Sequence, residues 1–192
     1  MFRETLRQTE GDLFRAGKEL MSFLNWVRFT WDLSALPDAP LKLPDHYQIG
    51  PATPEDEMGL RKVFSSALLL DPVWNPAIGQ VMQRIQTRLG RAFAAHGACL
   101  ALRHGARIIG AAVVSNDPAL DDQLAPGPCI LMEYRNRSFG THLLEASLFW
   151  LREAGLEKVS GMTLEHAPAA KFLYPKFGGA SLRIANGRLL AA

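Results

Sequence analysis

The chain has 192 residues, of which 48% are hydrophobic and 21% charged, enough apolar mass for one domain with its own core. A net charge of +2 without any Lys/Arg run gives no nucleic-acid footprint, and no apolar run has the length of a membrane-spanning helix. The charged N-terminus "MFRETLRQTEGD" lacks the apolar stretch of a secretory signal, so a cytoplasmic protein is expected.

In chain order, Phe2, Leu6, Leu13, Leu20, Leu24, Val27 and Trp31 recur at helical intervals, which predicts helix over the first 31 residues. Gly11-Asp12 is a break point, with Asp12 as a cap. "LSALPDAPLKLPDH" reads as an extended linker. Residues 1–46 are therefore expected to be a helical extension plus linker ahead of a domain at 47–192. In that domain, Tyr47–Ile49 is a short strand. Thr53-Pro54 followed by three acidic residues starts a helix, because a capping hydroxyl, proline at the first helical position and negative charge all suit a helix N-terminus. A second helix is expected over Pro76–His96, with Ile78, Val81, Met82, Ile85, Leu89 and Phe93 on one face. "ACLALRHGARIIGAAVVS" reads as a hairpin turning at Gly105, and "NDPALDDQLAPGP" as a Pro-rich loop. "CILME" is a strand, Gly140–Ala154 a helix stopped at Gly155, and "KVSGMTL" a strand. "APAAKFLYPKFGG" is a short helix, and "SLRIANGRLLAA" a closing hairpin. The result is a mixed, mostly antiparallel sheet flanked by helices, α/β (α+β) in class, with one parallel crossover through residues 129–165 and a ligand crevice where neighbouring strands diverge.

The five histidines stand far apart and form no metal-ligand spacing with the two cysteines, so no metal is expected. Cys99 and Cys129 sit in apolar, strand-like runs. Two buried thiols is the favoured reading, with a disulfide between them as the alternative.

The chemically suggestive stretch is "EYRNRSFGTHLL", a strand-to-helix turn with two arginines, a serine and a glycine. The first amides of a helix lack internal partners and carry partial positive charge, small residues let an anion approach the backbone, and Arg135 and Arg137 suit phosphate oxygens. The bland alternative is an ordinary turn with exposed arginines.

This stretch resembles the pyrophosphate loop of the GNAT superfamily of N-acetyltransferases, Arg/Gln-x-x-Gly-x-Gly/Ala, keeping Tyr134, Arg135, Arg137, Gly140 and Leu143-Leu144 but with Ser138 at the first glycine. "YQIGPATPEDEMGL", "ALRHGARIIGAAVV" and "AAKFLYPKFGG" resemble the family's opening strand and helix, its second and third strands, and its closing segment, in the right order over about residues 47–180. Ala167 stands where asparagine is common, and Gly179 replaces a final phenylalanine.

The resemblance implies an acetyl-CoA-dependent N-acetyltransferase without a metal, attacking the thioester directly with the amine of a small-molecule or peptide acceptor. It implies cofactor contacts at Leu131, Met132, Arg135, Arg137, Ser138, Phe139, Gly140 and Thr141, with an amide at Leu131 or Met132 polarising the thioester carbonyl. The strand Ile130–Met132 would splay from its neighbour to hold the pantetheine arm. Tyr174 aligns with a proton donor to the leaving thiolate, and Glu133 and Glu165 are candidate general bases at strand ends. Packing is the competing role for Tyr174, and solvation for the two glutamates. Leu68–Leu70, Val73, Trp74 and Pro76 suggest an apolar acceptor rim. The N-terminal segment is expected to pack on its own domain, with a homodimer face, a lining for the acceptor site or a lipid-interface helix as alternatives. A catalytically silent CoA-binding module on the same fold is the alternative function.

Overall fold

The computed structural model describes residues 25–94, 96–185 and 188–190, so most of the helix expected over the first 31 residues lies outside the described residues. The part that falls inside is not helix. Trp26–Asp32 is strand β1, lying in the middle of an eight-stranded sheet. The correction has a physical reason. Val27, Phe29 and Trp31 alternate with Arg28, Thr30 and Asp32, so the segment has the two-residue period of a strand, and its β-branched and aromatic side chains suit a pleated surface. Residues 25–46 thus belong to the sheet and its cover rather than to a helical extension.

The other strands are β2 (Tyr47–Pro51), β3 (Ala98–His104), β4 (Arg107–Val114), β5 (Leu124–Ile130), β6 (Lys158–Leu164), β7 (Ala180–Ala185) and β8 (Arg188–Leu190). Their spatial order is β2-β3-β4-β5-β6-β1-β7-β8. β1 is antiparallel to both neighbours, with Phe29 facing Gly161 on β6 and Ser181 on β7. The β3–β4 hairpin turns at Gly105, whose φ of 57° is left-handed, as expected. The closing hairpin β7–β8 is also present.

Helix α1 (Glu57–Leu69) follows a short 3-10 turn, Pro54–Asp56. Thr53 and Asp56 form a capping box: the Asp56 carboxylate accepts the Thr53 amide at 3.0 Å. α2 spans Ile78–Phe93 and α3 spans Phe139–Glu153. The two faces of β1 meet different parts of the chain. Trp26 meets Trp74, just past α1, with ring centroids 6.4 Å apart, whereas Phe29 and Trp31, on the alternate face, each meet Tyr174 at 5.2 Å. Buried side chains from both sides, among them Leu60, Phe64, Ile109, Leu124, Leu143 and Leu148, form the core around the sheet.

Between β1 and β2 the chain forms a strap over α3. Asp32 caps a 3-10 turn, Leu33–Ala35, and Arg152 then donates to the Pro37 carbonyl at 3.3 Å. Further along, the Leu41 amide donates to the buried Glu145 carboxylate at 2.8 Å. The strap ends where Tyr47 packs on Phe139, the first residue of α3, with centroids 4.5 Å apart. The helix N-terminus is thereby held from outside the segment that carries it.

Candidate functional site

β5 reads "LAPGPCI", and that composition breaks the sheet locally. Pro126 and Pro128 have no N–H to give a ladder, and Gly127 takes a φ of 95°. The register shifts as a result. Ala111 faces Cys129 and Val113 faces Ala125, so β5 carries extra residues against β4 and bulges. β5 pairs with β6, in parallel, only at Leu124 opposite Gly161. Beyond that point the two strands diverge. The sequence reading placed this strand late: it begins at Leu124, inside the expected loop, and ends at Ile130, while Met132–Tyr134 form a 3-10 turn.

The divergence opens a cavity of about 710 Å³, lined on one side by Ala67, Leu68, Asp71 and Trp74 and on the other by Ser138–Thr141, Leu173 and Lys176. That volume lies in the range of small-molecule sites. Pro128, Cys129 and Ile130 form its β5 wall.

At the cavity's α3 end, Ser138 caps the helix, its carbonyl accepting from the Thr141 amide at 2.9 Å and the His142 amide at 3.2 Å. The amides of Phe139 and Gly140, in the first helical turn, have no intrahelical acceptor by construction. A side chain at Gly140 would meet only Leu173, at 3.6 Å, so its glycine is not demanded by protein packing; it leaves that backbone approachable. Ser138 holds φ 61° and ψ 3°. The position of the family's first glycine therefore does need left-handed backbone, and serine occupies it under strain.

The expected cofactor residues divide. Met132, Arg135, Ser138, Phe139, Gly140 and Thr141 line the cavity; Leu131 and Arg137 do not. The Leu131 amide is already donated to the Ile109 carbonyl at 3.0 Å, whereas the Met132 amide, the other of the two expected, is not used by its own 3-10 turn. Arg135 is committed elsewhere. Its guanidinium donates to the Ala67 carbonyl at 2.6 Å and the Ile130 carbonyl at 3.2 Å, tying the end of β5 to α1. Arg137 lies over the Tyr134 ring, 5.8 Å from its centroid. The cation at the helix start is one to which the sequence reading gave no role: Lys176, whose Nζ donates to Thr141 Oγ1 at 2.9 Å. Its signal was its place two residues after Tyr174 in the closing segment.

None of the three expected catalytic side chains lines the cavity. Glu133 is exposed and paired with Arg107 at 2.7 Å; its backbone and that arginine hold its carboxyl below the usual range. Glu165 is paired with Arg183 at 2.6 Å. Tyr174 is fully buried against Phe29 and Trp31, and burial pushes its phenol far above the ordinary value. Its hydroxyl lies over Gly127, where any Cβ would collide with it, one residue deeper than the Pro128 that lines the cavity. Cys99 and Cys129 are free thiols rather than the disulfide alternative, and burial pushes each up to about 12. Among the described residues, no helix is long and apolar enough to cross a membrane.

The cavity fits an acyl-CoA in kind. Approachable amides and a lysine at the helix start would suit a diphosphate, and a strand freed of its neighbour would offer backbone to an amide-bearing arm.

Comparison with known proteins agrees with this layout. Residues 69–178 match the acetyltransferase (GNAT) family model. A GCN5-related N-acetyltransferase from Sphaerobacter thermophilus superposes with a TM-score of 0.58 at 16% identity, covering 83% of this chain and 49% of that one. A GNAT-family acetyltransferase from Colwellia psychrerythraea gives 0.58 at 15%, covering 83% and 53%. A tandem GNAT protein from the clavulanic acid biosynthesis pathway gives 0.54 at 20%, covering 81% and 50%. The chain thus spans about half the length of these structures, which at such identities are similar to it in fold. No curated protein sequence matches it.

Proposed function

The chain belongs to the acetyltransferase (GNAT) family, and from that membership we propose that it transfers an acetyl group from acetyl-CoA to a primary amine by direct attack. The observation that carries the reading is the cavity opened by the Pro126-Gly127-Pro128 bulge, which runs from α1 on one side to the start of α3 on the other. A thioester arm lying in it would meet the amine across the sheet. CoA supplies the activated acyl group and a leaving thiolate.

The chain's own residues do the rest. The Phe139 and Gly140 amides and Lys176 hold the diphosphate, and the Met132 amide polarises the thioester carbonyl. A thiol with a pKa near ~8.5 leaves readily, so little acid help is needed. Tyr174 keeps its proton at neutral pH. As an acid it is far weaker than the thiol it would serve, so its proposed part is a hydrogen bond to sulfur reaching Gly127. Glu133 and Glu165 would act as bases only through intervening water, since neither faces the cavity.

That arrangement also favours the second reading, a CoA-binding module without turnover. Two measurements separate the readings. CoA at ~100 times its dissociation constant should stabilise the fold by about 2.7 kcal/mol, a rise of roughly 5–11 °C in Tm. Acetyl-CoA with an amine panel should then release thiol in proportion to amide formed. A thermal shift without thiol release supports the silent module; no shift at millimolar CoA sinks both.

A further inference from the structure

Among the described residues, Asp71 is the single carboxylate that lines the cavity. It follows α1 in "LLLDPVWNP", and its side chain is only 12% exposed. One oxygen, Oδ1, accepts the Val73 amide at 3.3 Å and so caps the 3-10 turn Pro72–Trp74. The other, Oδ2, meets Arg135 Nη1 at 3.5 Å, the outer limit of a hydrogen bond. Arg135 is held by two backbone carbonyls regardless of Asp71. A carboxylate accepts at about four lone-pair sites, so Oδ2 keeps capacity for another donor.

The surroundings are apolar. Leu68 and Trp74 are buried beside the cavity, and Met132 and Phe172 line it while 46% and 73% exposed. Among the described residues six large hydrophobics are exposed. Two are Met132 and Phe172, and two more, Leu69 and Leu70, immediately precede Asp71. Exposed apolar side chains beside the partly buried Asp71–Arg135 pair mark a binding surface of defined chemistry.

We propose that the acceptor is a primary amine carried on a compact apolar body, and that Asp71 holds its ammonium. The inference rests on the acyltransferase reading and names the substrate class of that site. The ammonium loses one proton to water, its nitrogen bonds the acyl carbon, and the C–S bond breaks. The thiolate takes a second proton from the nitrogen, so the products are an amide, a thiol and one released proton, with nothing oxidised or reduced.

The test uses the full chain, acetyl-CoA, and phenethylamine against ethanolamine and a Phe-initiated peptide amide. Phenethylamine should show kcat/KM at least tenfold above both. D71N keeps an oxygen for the Val73 cap but removes the charge; it should raise KM for phenethylamine at least tenfold, move kcat less, and leave CoA affinity within twofold. Should D71N fold poorly, wild type supplies the readout: phenethylamine should bind at least tenfold tighter than the uncharged isostere 3-phenylpropanol. An unchanged KM in a folded D71N, equal binding of amine and alcohol, preference for ethanolamine or the peptide, or CoA binding without acetylation of any amine each overturns the inference. Failure of wild type to bind CoA removes the acyltransferase reading itself.

Discussion

Gly127→Ala is the sharpest probe of the bulge that opens the cavity. Gly127 sits at φ 95°, where an L side chain costs about 1–2 kcal/mol. Its new methyl group would collide with the Tyr174 hydroxyl and ring. The ring has no easy retreat, since Phe29 and Trp31 pack on it edge-on, both at 5.2 Å. Overpacking of that kind costs about 1–3 kcal/mol. The lower unfolded-state entropy of alanine returns about 0.4–1 kcal/mol. The net loss is about 1–4.6 kcal/mol, or roughly 2–18 °C in Tm for a chain of this size. Urea and thermal unfolding of the four proteins in a Gly127→Ala/Tyr174→Phe cycle read it directly. Tyr174→Phe alone should cost about 1 kcal/mol, as for a buried hydroxyl, yet in the Gly127→Ala background it should recover stability, with coupling of about 0.5–3 kcal/mol. Strict additivity would refute the contact, and with it the placement of the Tyr174 hydroxyl over Gly127, behind the cavity's β5 wall.

Other outcomes follow from the same geometry. Ser138→Gly releases about 1–2 kcal/mol of left-handed strain against a glycine entropy cost of about 0.5–1 kcal/mol, so Tm should rise, by up to roughly 6 °C; a fall would mean the serine is not strained. The Arg103 hydrogen bond lowers the Asp56 carboxyl below its ordinary 3.8, so its stabilisation is present above that pH and lost as pH falls through the lower folded value. Asp56→Asn should therefore cost about 1 kcal/mol at pH 7 and flatten the acid limb of the stability curve, whereas parallel limbs would contradict it. Lys176→Ala should weaken CoA about tenfold in a calorimetric titration and leave pantetheine, which has no diphosphate, unchanged. Arg137→Ala should change either affinity less than twofold; the reverse ranking would return the phosphate role to the arginine.

Much of this layout was legible in the residues, for reasons that differ by element. The β3–β4 hairpin announced itself through a turn glycine between apolar runs, and α3 through its helical spacing and the stop at Gly155. β1 was hidden because Val27 and Trp31 also fit a helical interval, and only the sheet partners β6 and β7 decide between the two periods. β5 was misplaced because its prolines read as loop, when they mark a bulge that keeps half a ladder. The turn at the start of α3 was readable, but where its arginines go was not: Arg135 is diverted by the nearby Ile130 carbonyl and by the Ala67 carbonyl of α1, which lies 68 residues away in the chain. Asp71 was invisible for the same reason. Nothing local distinguishes a capping aspartate before proline from one that faces a cavity.

The most direct measurement is a crystal structure of the full chain with CoA. The diphosphate should lie within hydrogen-bond distance of the Phe139 and Gly140 amides and Lys176 Nζ, with the pantetheine arm between β5 and β6. A diphosphate bound at another surface, or an arm excluded from that cleft by the side chains now lining it, would contradict the account.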